Sequence, residues 1–245
     1  MTGSRVDEVV AMMQERLDAL PAASARRPFL STYLRTTAAV GAAVRRGHFL
    51  DGAWVEEWDV AFAELYLRAH DAHANGNADE VPRPWRLAFA APDDLPALRH
   101  VLLGINAHVN YDLPQALLAV ISAEDFADTS LMARRRTDHE RIDDVLASRI
   151  KDEDAELGDR KTLLDRLLTP LNRLGSKRFL RESRQRVWHN VVELHAARLR
   201  DPELYAARLA ELEVLSAARI ADLLAPGQVL LRLAVAGFGV SLPPP

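Results

Sequence analysis

Trp54-Val55-Glu56-Glu57-Trp58-Asp59-Val60-Ala61-Phe62-Ala63-Glu64-Leu65-Tyr66-Leu67-Arg68-Ala69 is the stretch that decides the fold class. Trp54, Trp58, Ala61, Phe62, Leu65, Tyr66 and Ala69 recur at steps of three and four, so on a helix they form one broad apolar stripe. The helix closes near His73-Ala74-Asn75-Gly76. Upstream, Val6, Val9, Val10, Met13, Leu17 and Leu20 keep the same period until Pro21 stops it. Phe29, Leu30, Tyr33, Leu34 and the alanine-valine series to Val44 make a second helix, and Gly47 suits its end. Residues 77–92 hold Pro82, Pro84 and Pro92 and read as a surface loop. A helix opening around Asp93-Asp94, with Pro96 in its first turn, carries Leu95, Leu98, Val101, Leu102 and Ile105. Further helices are expected over roughly 129–150, 161–174 with a kink or break near Pro170, 176–200, and from Asp201-Pro202-Glu203 to Leu224. The apolar segment 228–236 reads as a strand or a buried helix, and 237–245 as a disordered tail. The expectation is an all-α chain, one domain over 1–245 with about eight helices.

The chemistry is concentrated in Gly104-Ile105-Asn106-Ala107-His108-Val109-Asn110-Tyr111-Asp112-Leu113-Pro114-Gln115-Ala116-Leu117. Polar groups placed after the apolar run Val101-Leu102-Leu103 are costly unless hydrogen-bonded, paired or metal-bound. His108 and Asp112 are four apart and share a helix face. That spacing suits two ligands of a zinc, iron or manganese ion, whose bound water becomes a nucleophile near neutral pH. It equally suits a metal-free His–Asp pair, or Asp112 capping a helix that starts at Pro114 while His108 sits in the core. Because Pro114 disfavours helical geometry at Leu113, a break is expected between Asn110 and Pro114.

Composition narrows the classes. Of 245 residues, 49% are apolar and 27% charged with net charge −4, so nucleic acid is not expected as a partner. There is no cysteine, so a metal would have to be held by His, Asp, Glu or water. No segment has the length of a membrane span, and Met1–Asp7 lacks a leader pattern, which gives the expectation of a cytoplasmic protein. No phosphate-binding glycine loop, Gly-x-Ser-x-Gly or His-Glu-x-x-His occurs, which argues against nucleotide-dependent and serine-hydrolase chemistry.

Other candidates carry competing readings. His100 can share a broad face with His108. Asp59 lies off the Trp54–Phe62 stripe and reads as a water-facing flank. Asp138, His139, Glu140, Asp143 and Asp144 could hold metal, but a solvated face with ion pairs accounts for them at less cost. His189 and Glu193 are spaced for a metal, although surface pairing is simpler. Lys177, Arg178, Arg181, Arg184 and Arg186 could attract a phosphate, or merely face solvent.

Residues 47–52 (Gly-His-Phe-Leu-Asp-Gly), Trp58–Ala63 with Tyr66-Leu67, Trp85–Phe89 and His100–Leu113, with Asp138, Ile142, Arg184 and Trp188 as weaker matches, resemble the uncharacterised bacterial proteins grouped as domain of unknown function 5995. The resemblance covers roughly 29–200 and departs at His139 and Asp143. It implies a helical domain centred on Asn106, His108, Asn110 and Asp112, with Asp59 and Asp138 approaching from neighbouring helices and Arg184 turned inward. More distantly, 102–112 is similar to the Leu-Gly-x-x-x-His-x-x-x-Asp pattern of zinc-dependent phospholipase C and P1-type nucleases. The further His ligand of that pattern is missing here, which leaves a reduced zinc site as the implication.

The leading expectation is therefore an enzyme performing metal-assisted hydrolysis of a small, partly apolar, phosphoester-like substrate. His108, Asp112 and Asp138 would be metal ligands; with Asp59 they would make up the catalytic set; Asn106, Asn110, Arg184 and Trp188 would touch substrate. The alternatives are a non-catalytic helical protein that binds an apolar ligand or partner, and a metal-free acid–base cyclase or isomerase.

Overall fold

The computed structural model describes residues 4–157, 170–227, 237 and 239–244, and only the backbone of 147–157 and 170–180. The described residues are all-α, with no strand. Helix α1 (Arg5–Ala19) begins at Ser4, whose side chain and Asp7 form a reciprocal capping box. Helix α2 (Arg27–Arg45) ends before Gly47, whose φ of +69° lies in the left-handed region that glycine enters without steric cost. Helix α3 (Gly52–Ala74) is capped by Asp51, which accepts from the Trp54 amide at 3.1 Å. Helix α4 (Arg83–Phe89) occupies what the prolines suggested was loop. The prolines do not prevent it: Pro82 is the N-cap and Pro84 lies in the first turn, where no N–H is needed.

Helix α5 (Ala97–Ala107) starts after Pro96, a few residues later than the acidic pair suggested. It does not break before Pro114. Residues His108–Asp112 form a π-helical turn that runs directly into α6 (Leu113–Val120). The Leu113 N–H donates to the carbonyl of His108, five residues back. This wider turn gives the Pro114 ring the room that a tight α-turn denies it, so the proline widens the helix instead of ending it. Asp112 precedes Pro114 as N-cap, but its side chain makes no capping bond.

Helix α7 (Ala123–Ala127) is short; α8 (Thr129–Leu157) and α9 (Pro170–Arg200) are long; α10 (Pro202–Leu224) is capped by Asp201. Among the described residues α9 begins at Pro170. The rest of the 161–174 expectation and all of 228–236 lie outside the described residues.

The rod α5–π–α6 is the axis of the molecule. It touches α2, α3, α4, α9 and α10, and α8 packs on α2 and α9. A helix covered on every side must be apolar all round, and Val101, Leu102, Leu103, Ala107, Leu113, Ala116 and Leu117 are all buried. The few polar residues on the rod are therefore held inside the core, where each needs a partner.

Gly104 lets the rod approach α2 closely. A Cβ there would lie 2.3 Å from ring atoms of Phe29, a ring wedged against Tyr66 and Trp85 at centroid distances of 5.2 and 5.4 Å. Gly104→Ala should therefore destabilise the chain by about 1–3 kcal/mol, despite alanine's better helix propensity. Thermal unfolding would check this, and an unchanged or raised Tm would contradict the packing described.

Candidate active site

The π-turn presents its side chains in two directions. On one side, His108 Nδ1 and Asp112 Oδ2 are 2.8 Å apart, and the same oxygen accepts from Trp85 Nε1 at 2.8 Å. His108, Asp112 and Trp85 are each at most 3% exposed. The indole N–H can only donate, so Oδ2 is an acceptor whatever the state of the other oxygen. That assigns the Nδ1 proton to the imidazole and leaves a lone pair on Nε2. Burial lowers the pKa of His108, against the pull of Asp112, and raises that of Asp112, against its two donors.

The ring is fixed by aromatic neighbours. Phe62 stacks on it at 3.5 Å and 5°, and Tyr33 meets it edge-on at 4.4 Å. Phe29, Tyr66 and Trp85 stand about it at 6.0, 6.0 and 5.8 Å. In and around this cage His108 Nε2, the Tyr66 hydroxyl and Asp59 Oδ2 are buried without a hydrogen-bond partner among the protein's atoms, and the Tyr33 hydroxyl has Thr37 beside it. Such groups are uncommon in a native interior, and each calls for an explanation.

Asp59 is not a water-facing flank. It is 3% exposed, because α3 is covered on more faces than its aromatic stripe alone defines. Burial, helped by the charge of Glu56, pushes its carboxyl up to about 8. Burial and the charges of Asp59 and Asp112 push the Tyr33 phenol well above its ordinary range. Tyr66 is raised by burial.

On the other side of the turn, Asn106 Nδ2 donates to the Leu102 carbonyl at 2.8 Å, and Asn110 Nδ2 donates to Asn106 Oδ1 at 3.3 Å. These two asparagines face away from the His108 cage. A surface cavity of about 400 Å³ between α3 and the π-turn reaches Asp112, with Arg68, Ala69, Tyr111 and Gln115 on its walls.

The ligand set expected from the spacing does not form. His108 and Asp112 face each other and not a common point. Asp138, fully buried, spends both carboxylate oxygens on the amides of Leu50 and Asp51 at 2.7 Å. It holds the entry to α3, which the helical register of α8 alone does not show. Among the described residues no three His, Asp or Glu side chains are grouped to hold a metal ion. The donor set thus does not fit the zinc centre implied by the distant resemblance.

The α8 face is also less solvated than its charge suggested: His139 is as buried as Asp138. Arg184 turns inward, but to Asp143, with His139 Nε2 at 3.3 Å. Burial, helped by the positive charge of Arg184, holds His139 well below the usual imidazole range. Trp188 lies beside His139, with ring centroids 5.8 Å apart, so Arg184 and Trp188, two of the four residues expected to touch substrate, belong to the α8–α9 contact. His100 sits near Asp93 at the start of α5. Glu193 pairs with Arg208 and His189 faces the Leu242 carbonyl, so neither binds metal with the other. The side chains of Lys177 and Arg178 lie outside those described.

The model of a family of unknown function, DUF5995, matches residues 6–226. The chain belongs to that family. No curated protein and no solved structure matches the chain significantly, and the similarity to phospholipase C or P1 nuclease is not shown. Membership spans the whole helical body, including the π-turn and every residue of the cage. No helix among the described residues is long and apolar enough to cross a membrane.

Two participants were not assigned from sequence. Trp85 stood out only as part of the family resemblance, and Tyr33 only as a periodic apolar position. The clustering of Trp85 with the π-turn in the family resemblance was the available signal for the first; Tyr33 had none.

Proposed function

We propose that this chain is a metal-independent acid–base enzyme that moves a proton on a small, largely apolar molecule, in an isomerisation or cyclisation. The observation that carries the reading is His108. Its Nδ1 is committed to an Asp112 oxygen that Trp85 also binds, and its unpaired Nε2 points among aromatic rings. This is the arrangement of a general base held in one tautomer by a carboxylate. Asp59 supports it as the complementary acid. A carboxyl titrating near 8 is protonated at neutral pH while His108 is neutral, and groups whose environments drive them to opposite roles define acid and base. Tyr33 is in contact with His108 and within the field of Asp59. The aromatic walls would favour an apolar substrate, and the cavity between α3 and the π-turn reaches the Asp112 side of the pair.

The test is a panel of generic reactions: double-bond isomerisation of small enones, and hydrolysis of nitrophenyl esters and phosphoesters. Each is run with the unmodified chain, His108→Gln and Asp59→Asn, with and without chelator. The expected result is isomerisation that falls about 100-fold or more in His108→Gln and is indifferent to chelator. Hydrolysis lost to chelator and restored by zinc would instead support metal-assisted chemistry. No turnover, with an apolar molecule retained from cell extract, would support a binding protein.

A further inference from the structure

The segment expected to be a disordered tail is packed. Gly239–Pro243 has no secondary structure of its own, yet side chains of the helical body bond its backbone at almost every step. Arg186 donates to the Gly239 carbonyl. The Val240 amide donates to Asn110 Oδ1 at 3.3 Å. Asn190 donates to the Val240 carbonyl at 3.0 Å and accepts from the Leu242 amide at 2.8 Å. His189 Nε2 lies 3.0 Å from the Leu242 carbonyl, and Arg208 donates to that of Pro243. Composition could not show this, since the partners come from α9, α10 and the π-turn.

This is the pattern of peptide recognition. In an extended segment, alternate residues turn their polar groups to the same side, and Asn190 clamps Val240 and Leu242 in that way. Main-chain bonds of this kind supply affinity with little regard to sequence, and a pocket for one side chain supplies the choice. The pocket here takes Leu242, which is 1% exposed against Tyr111, Leu118, Leu194 and Leu212. Ser241 and Pro243, on either side of it, are exposed. Gly239 is the second selective position: a Cβ there would lie 2.8 Å from Arg186 Cδ and 3.4 Å from Ser183 Cα. The clamp residues Asn110 and Asn190 are 1% and 0% exposed, and Arg208 is 7%. The segment also lies beyond the residues matched by the family model, which end at 226.

We propose that the cleft between α9, α10 and the π-turn is a binding site for an extended peptide of the form Gly-x-x-Leu, and that the chain's own C-terminal segment fills it in cis as a releasable latch. The latch bears on the π-turn. Asn110, which holds Val240, also holds Asn106, and Tyr111, which packs on Leu242, walls the cavity leading to Asp112. Release of the segment would therefore loosen the turn that positions His108. The proposal does not rest on what His108 does.

The experiment uses the full chain carrying Leu242→Asp, which expels its own segment, and a fluorescein-labelled synthetic peptide of residues 237–245. The expected result is saturable binding, read by fluorescence polarisation, to the variant. Binding to the unmodified chain should be roughly tenfold weaker or more, because the tethered segment competes at high effective concentration. Adding Asn190→Ala to the variant should abolish binding. Absence of binding to a folded Leu242→Asp chain, or equal binding to both chains, would overturn the proposal. Should Leu242→Asp not fold, native-state hydrogen exchange on the unmodified chain decides. Amides of Val240 and Leu242 that exchange well ahead of those of α3 support a latch. Exchange only with global unfolding makes the segment a permanent part of the core and ends the proposal.

Discussion

Asp112→Ala should cost about 3–5 kcal/mol of stability, the largest loss expected of any single substitution in the cage. Asp112 Oδ2 accepts from both Trp85 Nε1 and His108 Nδ1, and all three residues are buried. Truncation leaves two donors without an acceptor, and each pays the desolvation of an unmade bond. It also frees the imidazole to exchange tautomers, so any turnover should fall further than the loss of folded chain explains. Asp112→Asn separates the two effects. Its amide oxygen can still accept both donors, so most of the stability should return while the orienting charge is gone. Chemical denaturation of the three chains side by side is the measurement. A loss below about 1 kcal/mol in Asp112→Ala would mean that the pair is not the keystone of the turn.

Asp59→Asn should remove a large pH dependence. The Asp59 carboxyl titrates at about 8 in the folded chain against an ordinary value of 3.8. Its folded pKa is raised, so between those values the folded chain holds a proton that the unfolded chain has released. Stability contributed by this group is therefore complete below pH 4 and declines as pH rises to 8. At about 1.36 kcal/mol per unit, the decline is on the order of 6 kcal/mol. Buried His108 and His139 act in the opposite window. Their lowered values make the unfolded chain bind protons first, and stability is lost as pH falls below about 6.5. The unmodified chain should be most stable in mildly acidic solution. Asp59→Asn should keep the acid limb, flatten the alkaline one and raise Tm at pH 8. Superimposable Tm–pH curves for the two chains would show that Asp59 is not buried as a neutral acid.

Much of the fold was legible because its signals are local. The period of Trp54, Trp58, Phe62 and Tyr66 defines α3 without reference to any other element, and Asp201-Pro202 marks the start of α10 through cap chemistry. The errors arose where a local signal has two outcomes. Pro82 and Pro84 mark a loop or a helix start, and only the packing of α4 against α10 selects the helix. Pro114 breaks a helix or widens it, and the widening is chosen because the rod is enclosed on all sides and cannot change direction.

The site divides in the same way. Sequence alone determined that His108 and Asp112 share a helix face, that the polar groups of their segment follow an apolar run and need partners, and that no cysteine serves any chemistry, because these follow from spacing and composition. Only the tertiary structure decided what the pair does with that proximity. Trp85 arrives from α4 to occupy the carboxylate, Phe62 and Tyr33 close on the imidazole, Asp138 turns to the entry of α3, and the C-terminal segment is drawn onto Asn110 and Asn190. Helical spacing determines which residues are neighbours along one element. A hydrogen bond or a metal site also needs groups from other elements, and their positions depend on how the whole core packs.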